Sequence, residues 1–301
     1  MKPKPFTILA VLHGLIIVLA ILVLWRRPPE KRTDKDAIAV IPIEGIITMD
    51  RGAMSHGESI DELVDAIDEL KDKPRVKALV LKINSPGGSV GAVQELYDAV
   101  VRFKKSGRPV VSTFGDLAAS GGYYVACAGD RIVTHPGTLT GSIGVLLRLP
   151  NVTTLMQKIG VSMNTLTSGP MKDAGSPFRA MTAEEQAHFK GIIDDAYGQF
   201  FDAVKTGRNL TPEALKPLAD GRVFSGRQAV EKKLADQLGG TKEAIDLAKE
   251  MAGLSGKNPR ILEHHEKKSL ERLLQLFGRT PVDHLASLAE SAGPELLYLL
   301  N

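Results

Sequence analysis

One serine of the chain, Ser120, stands where a nucleophile would be presented. In the surrounding stretch GDLAASGGYYVACAGD, the apolar run before the serine predicts a buried strand, and the small residues from Gly121 to Cys127 predict a buried helix. A serine hydroxyl is a weak nucleophile, so it needs a base within hydrogen-bond reach and donors for the oxyanion that forms. The backbone N–H of Gly121 would open the helix without a partner inside it, which makes it a candidate donor.

A second glycine-rich segment, SPGG at residues 85–88, ends a neighbouring predicted strand. In a parallel sheet the carboxyl ends of the strands share one edge, where ligands usually bind. Gly87 and Gly88 are therefore candidates for the second oxyanion donor. The alternative is that the two glycine pairs only form turns.

Histidine and lysine are the two residue types considered as the base for Ser120. The Gly-x-Ser-x-Gly pattern of a hydrolase elbow is absent, since Ala118 stands two residues before the serine, and His135 is the nearest candidate histidine. A lysine base must lose roughly three units from its ordinary pKa of about 10.4, and burial among apolar groups has that effect. Lys172 lies among small and apolar residues in TSGPMKDAGSPFR, provided that Asp173 points away from it.

Alternating strands and helices position these residues. Predicted strands cover residues 37–48, 76–84, 109–114 and 131–135, and predicted helices between them cover residues 59–74, 89–105 and 121–127. This order implies right-handed crossovers and a largely parallel sheet. Further along, we expect a strand at 161–169, a long helix from Thr182 to about Lys205, and a helix at 241–252.

Residues 6–25 form an uncharged apolar run, and a helix of about 20 residues spans the roughly 30 Å of a bilayer core. No small-residue cleavage site follows, which favours a retained anchor over a cleaved signal peptide. The chain is therefore divided into a tip, anchor and linker at 1–36, a main domain at 37–256 and a helical appendage at 257–301. The flanking charges alone favour a cytoplasmic location for the main domain.

The overall charge is small, at +3 over 301 residues, and this argues against nucleic acid as a partner. Cys127 is the single cysteine, so an intramolecular disulfide is impossible. It lies in an apolar run, where a core position is the simplest interpretation.

Four segments in this order and spacing resemble the signal peptide peptidase A family in its short, single-copy bacterial form. They are INSPGGSV, GDLAASGGYYVACAGDRIV, TGSIGV and TSGPMKDAGSPFR, and GRVFSGRQAVEKKLADQLGG resembles a C-terminal signature of the same family. The resemblance covers about Ile38 to Met251. It implies the α/β fold shared by Clp proteases and crotonases, with a parallel sheet core and helical extensions, here preceded by one transmembrane helix.

The resemblance also implies a role for each motif residue. Ser120 matches the nucleophile and Lys172 the general base of a Ser-Lys dyad, while Ser142 matches the serine that orients the lysine. Gly88 and Gly121 match the oxyanion-hole positions. The family implies neither a metal nor another cofactor.

The implied activity is cleavage of released signal peptides and other unfolded apolar peptides by a peptidase anchored in the bacterial inner membrane. Its catalytic domain would lie outside the cytoplasm, and this outweighs the weak opposite indication of the flanking charges. Family members form homo-oligomeric rings in which dyads can form across protomers. The alternatives are a crotonase-like acyl-CoA enzyme and a non-catalytic membrane scaffold.

Overall fold

The computed structural model of the chain describes residues 35–49, 59–264 and 295–300. Within these ranges, no helix combines the length and the apolar character that a membrane crossing requires. The predicted anchor at 6–25 and almost all of the linker after it lie outside the described residues.

The centre of the fold is β2 (Val76–Ser89), which has parallel strands on both sides. β1 (Ala37–Ile47) pairs along one edge and β3 (Val110–Ala119) along the other. The nearly continuous apolar sequence of these strands suits a sheet that is covered on both faces. β9 (Arg260–Glu263) extends the sheet beyond β1, and β4 (Arg131–Thr134) extends it beyond β3.

Helices cover both faces of this sheet. On one face α1 (Ile60–Lys71) and α2 (Val90–Lys104) bury their apolar sides in the main core. On the other face α8 (Thr241–Met251) packs Ala244 and Ala248 into a smaller cluster of sheet side chains. The predicted alternation of strands and helices and the mixed α/β class are confirmed.

β3 divides its pairing between two strands, which curls the sheet. Its first half pairs with β4, and its second half pairs with β5 (Leu139–Gly141). The Thr140 hydroxyl donates to the Ala118 carbonyl at 2.6 Å and fastens β5 to β3. Two short strands lie outside these, β7 (Val223–Ser225) against β5 and β8 (Gln237–Leu238) against β4. The curl brings the carboxyl ends of β2, β3 and β5 to one edge.

The longest helix, α5 (Ala183–Arg208), begins at the capping box that its sequence predicts. The Thr182 side chain accepts a hydrogen bond from the Glu185 N–H, and the Glu185 carboxylate accepts one from the Thr182 N–H. The shorter helices are α3 (Gly121–Ala126), α4 (Thr153–Lys158), α6 (Pro212–Leu215), the 3₁₀ turn Lys216–Leu218, and α7 (Gly226–Glu231).

The strand predicted at 161–169 is wrong, because this stretch is irregular and exposes Val161, Met163 and Leu166. β-branched residues favour strands only where a neighbouring strand pairs with them. In the part of the chain that the structure describes, no strand pairs with this stretch. It follows β6 (Leu146–Arg148) and α4 as a surface segment instead.

The prediction of a helical appendage at 257–301 is also wrong for those of its residues that the structure describes. Residues 260–263 form β9, and residues 295–299 form β10 (Glu295–Leu299), which lies between β2 and β6 and runs antiparallel to both. The run LERLLQLF lies outside the described residues. A short apolar run such as ELLYLL is compatible with either a helix or a buried strand. It forms a strand here because β2 and β6 each offer an edge with which it can pair.

Candidate active site

Ser120 lies between β3 and α3, where its sequence places it, and its backbone is unusual, with φ of 51° and ψ of −117°. Such a conformation costs a non-glycine residue about 1–3 kcal/mol, so it persists only where its surroundings hold it. The Ser120 N–H donates to the Gly141 carbonyl at 2.8 Å. The hydroxyl is buried, and it has no hydrogen-bond partner among the described residues. A strained serine with a spare hydroxyl is suited to attack a substrate.

Two glycine backbones meet beside Ser120. A Cβ added to Gly121 would lie 3.1 Å from the Gly88 nitrogen and 2.5 Å from Cγ2 of Val93. Gly87 has a φ of 105°, and a Cβ there would lie 2.6 Å from the Gly121 nitrogen. Only glycine permits this approach and this backbone angle. The nitrogens of Gly88 and Gly121 are therefore held close together, as two donors to one oxyanion must be.

Ser85 holds the backbone of the SPGG segment in place, a role that the sequence analysis does not assign to it. Its hydroxyl is buried and accepts a hydrogen bond from the Gly87 N–H at 3.1 Å. A serine two residues before a glycine commonly makes such a side-chain turn, and this was the signal available in the sequence. By holding Gly87, Ser85 fixes the path of the chain into Gly88.

Ser142 is brought to the same edge by the end of β5. It follows Gly141, whose carbonyl accepts the Ser120 N–H, so this hydrogen bond holds the Ser142 segment directly against Ser120. Ser142 also has a positive φ of 51°, and its N–H donates to the Arg222 carbonyl at 2.8 Å. The structure therefore assembles Ser120, Ser142 and the two glycines at one place.

Lys172 lies in a separate loop, and its side chain is exposed in the single chain. Its backbone N–H donates to the Gly169 carbonyl at 3.1 Å, and the end of the loop is fastened where the Val152 N–H donates to the Pro177 carbonyl at 2.8 Å. Among the described residues, no hydrogen bond or ion pair joins the lysine side chain to the Ser120 segment. The loop does not itself bury Lys172, contrary to the expectation from its small and apolar composition.

The carboxylate of Asp173 is held by an arginine. The Arg179 Nε donates to Asp173 Oδ2 at 2.9 Å, and its Nη1 donates to Glu185 Oε2 at 3.0 Å. Arg179 thus clamps the lysine loop to the start of α5. Asp173 makes its ion pair with Arg179, so its negative charge is compensated away from Lys172, as a lysine base requires.

Glu185 gives this clamp a measurable pH dependence. Hydrogen bonds from Arg179, and then from the Thr182 N–H, lower the pKa of Glu185 from about 4.5 to about 2. A lowered carboxyl pKa stabilises the folded chain above the ordinary value, and the stabilisation is lost as the pH falls towards the lowered one. We expect Glu185→Gln to be less stable than the parent chain at pH 6, and the difference in melting temperature to shrink between about pH 4.5 and 2.

The measurement is thermal unfolding of both proteins from pH 6 down to pH 3. The introduced glutamine keeps one oxygen for the capping bond, and it loses the charge together with the second oxygen, which accepts from Arg179 Nη2, so it removes the ion pair. Glu184→Gln is the matched control, because Glu184 is exposed in the same helical turn. Melting curves of parent and Glu185→Gln that stay parallel with pH would show that the clamp does not depend on this charge.

Two other reactive side chains do not fit the role of nucleophile or base. Cys127 is buried, and that burial raises the pKa of its thiol from 9.0 to about 12, so it stays protonated, in agreement with a core position. His135 is exposed at the end of β4, where a Cβ on Gly240 would lie 2.7 Å from its Cε1. Its ring therefore lies beside the start of α8, and no described hydrogen bond joins it to Ser120.

Two family models match the chain. The family model for peptidase family S49 matches residues 102–255, and the model for Clp protease matches residues 36–136. A Synechocystis sp. protein named "Putative protease slr0021" is 38% identical over 246 residues, which are 82% of this chain and 85% of that protein.

Two further relatives are covered over a smaller part of their length. "Putative signal peptide peptidase SppA" of Enterococcus faecium is 38% identical over 181 residues, 60% of this chain and 53% of the relative. "Protease 4" of Salmonella typhi is 36% identical over 217 residues, 72% of this chain and 35% of the relative. The first family match spans about half of the chain, including Ser120, and the Synechocystis sp. relative is covered along most of its length. The chain therefore belongs to peptidase family S49.

Proposed function

We propose that the protein is a membrane-anchored serine endopeptidase that cleaves released signal peptides and other unfolded apolar peptides through a Ser-Lys dyad. The observation that carries this proposal is the buried, strained hydroxyl of Ser120 beside the adjoining nitrogens of Gly88 and Gly121. Membership of a serine peptidase family and the relative named as a signal peptide peptidase support the reaction and the substrate.

The proposed reaction has two steps. Lys172 as the neutral amine takes the Ser120 proton while Oγ attacks the peptide carbonyl, and the N–H groups of Gly88 and Gly121 stabilise the oxyanion. The lysine then gives its proton to the leaving amine, and the acyl group stays on Ser120. In the second step Lys172 accepts a proton from water, the hydroxide adds to the ester, and the proton returns to Ser120 as the acid leaves. Ser142 orients the lysine amine throughout.

The exposure of Lys172 supports a homo-oligomer as the active form. A lysine acts as a base only when neutral, and burial favours the neutral form. The segment around it carries several exposed apolar side chains, which are Leu155, Ile159, Val161, Met163, Leu166 and Phe178. Exposed apolar patches of this kind mark association surfaces. A second copy covering this patch would shield Lys172 as well, which agrees with a ring in which protomers complete each other's sites.

The apolar run at 6–25 supports the anchor, and the family resemblance supports an inner-membrane location with the catalytic domain outside the cytoplasm. A signal peptide is itself an apolar segment left in the same membrane. An anchored peptidase would therefore meet its substrate by diffusion in two dimensions.

The test is digestion of a synthetic signal peptide by the purified full chain in detergent, followed by mass spectrometry. We expect cuts within the apolar segment and labelling of Ser120 by a fluorophosphonate probe. The same peptide with aspartates placed through its apolar segment is the control and should stay intact. An intact signal peptide together with an unlabelled serine would overturn the proposal and leave the crotonase-like and scaffold alternatives.

A further inference from the structure

A single peptide group connects the backbone of Ser120 to the chain at the start of β7. This group lies between Gly141 and Ser142, so its carbonyl belongs to the glycine and its N–H to the serine. The carbonyl accepts the Ser120 N–H at 2.8 Å, and the N–H donates to the Arg222 carbonyl, also at 2.8 Å. Because a peptide group is planar and rigid, a shift at one of these hydrogen bonds is passed on to the other. The backbone of Ser120 therefore depends on the position of residue 222.

The backbone on both sides of this peptide group has a positive φ. The angle is 81° at Gly141 and 51° at Ser142, and Ser120 has the same value of 51°. Such a conformation costs a residue with a side chain about 1–3 kcal/mol, so it persists only where the surroundings hold it. Two strained serines are thus held through one peptide group, and both would relax if that group moved.

The ring of Phe224, in the middle of β7, lies directly against this peptide group. The side chain is buried, and a Cβ on Gly141 would lie 2.7 Å from its Cδ2 and 3.2 Å from its Cε2. Phe224 is also the partner of Thr140 in the pairing of β7 with β5. The two hydrogen bonds hold the peptide group at its ends, and the ring limits the movement of Gly141 between them.

β7 is itself fastened to the β5 region at both ends. The Gly221 N–H donates to the Ile143 carbonyl at 3.0 Å, and the Gly226 N–H donates to the Thr138 carbonyl at 2.8 Å. A Cβ on Gly226 would lie 1.9 Å from the His135 carbonyl oxygen, so this approach requires glycine. The stretch GRVFSG, which opens the C-terminal signature of the sequence, therefore forms a fixed support for β5 and for the serine that follows it.

We propose that β7 positions the nucleophile and the lysine-orienting serine together, and that Phe224 is the positioning residue for both Ser120 and Ser142. The inference rests on the proposed peptidase function, which gives these two serines their roles. Phe224 acts through the Gly141–Ser142 peptide and not on the substrate. A misplacement of about 1 Å at the reacting groups can cost about 100-fold in rate. Loss of the ring should therefore lower kcat and leave KM unchanged.

The test compares Phe224→Leu with the parent in the full chain. Leucine keeps a buried apolar side chain and removes the ring from Gly141. We expect amide hydrogen exchange at both Ser120 and Ser142 to be at least about tenfold faster, because the shared peptide group is less firmly held. On a signal peptide, kcat should fall by about tenfold or more, with KM within about twofold of the parent value.

Phe103→Leu is the matched control, because Phe103 is a fully buried phenylalanine near the end of α2. It should lose stability in the same way and keep the parent kcat and the parent exchange rates at the two serines. If Phe224→Leu does not fold, Phe224→Met serves for the same measurements, since methionine fills an apolar gap without a flat ring.

Parent exchange rates at Ser120 and Ser142 in the Phe224 variant would mean that β7 is only a structural strand. Faster exchange with an unchanged kcat would equally overturn the positioning role. Amide exchange requires no turnover, so it decides whether Phe224 holds the two serines even if the parent chain cleaves no peptide. Failure of the peptidase function would appear separately, as a signal peptide that the parent chain leaves intact.

Discussion

Ser120→Ala should abolish peptide cleavage and leave the protein at least as stable as the parent chain. Loss of a serine nucleophile lowers kcat by about 10⁴-fold or more, since only binding and oxyanion stabilisation remain. The substitution should not lower the stability, because the Ser120 hydroxyl is buried without a partner among the described residues. An unsatisfied buried hydroxyl costs about 1–3 kcal/mol, which alanine removes. The measurements are kcat/KM on a signal peptide and thermal unfolding of both proteins.

Ser112→Ala is the matched control for this substitution. Ser112 is a buried serine of β3, the strand that leads into Ser120, and its hydroxyl donates to the Ala126 carbonyl at 3.4 Å. This variant should keep its activity and gain no stability. A Ser120→Ala protein that folds and turns over at the parent rate would exclude Ser120 as the nucleophile.

Lys172→Arg should be as inactive as Lys172→Met, with a loss in kcat/KM of about 10⁴-fold. The reason is chemical, because a guanidinium does not deprotonate in proteins and cannot take the proton that leaves Ser120. As separated chains, both variants should unfold within about 0.5 kcal/mol of the parent, since the side chain is exposed in the single chain. The measurements are kcat/KM, thermal unfolding, and oligomeric state by sedimentation.

Lys158→Arg serves as the control, because Lys158 is an exposed lysine at the end of α4 in the same surface region. It should keep full activity. An active Lys172→Arg enzyme would mean that this lysine only supplies positive charge and that the base lies elsewhere. Inactivity accompanied by loss of the oligomer would assign it to the interface instead.

The position of Ser120 was predictable because it depends on neighbours in sequence. An apolar run, a lone serine and a run of small residues are enough to predict a strand, a junction and a helix. For Gly121 and Gly88, the sequence predicts that both lie at the same edge of the sheet, but it does not predict how closely they approach each other. The cause of this approach is the φ of Gly87 together with the Ser85 hydroxyl, and the serine–glycine spacing predicts a turn there without giving the distance between the two glycines.

The errors in the fold have a common physical origin. The stretch 161–169 and the run ELLYLL are both short and apolar, and their states are decided by distant partners. The first has no strand to pair with among the described residues, so it stays irregular. The second meets the free edges of β2 and β6 and becomes β10. Helices with local signals, such as the capping box of Thr182, were predicted correctly.

The place of β10 between β2 and β6 has a consequence for any peptide that takes its position. A strand advances about 3.3 Å per residue and a helix about 1.5 Å, so the space between β2 and β6 admits an extended chain and not a coiled one. In lipid a lone apolar segment is helical, because each backbone group must find its partner within the segment. Under the proposed function, a signal peptide must therefore unwind and exchange its internal hydrogen bonds for those of β2 and β6 before Ser120 can reach a carbonyl.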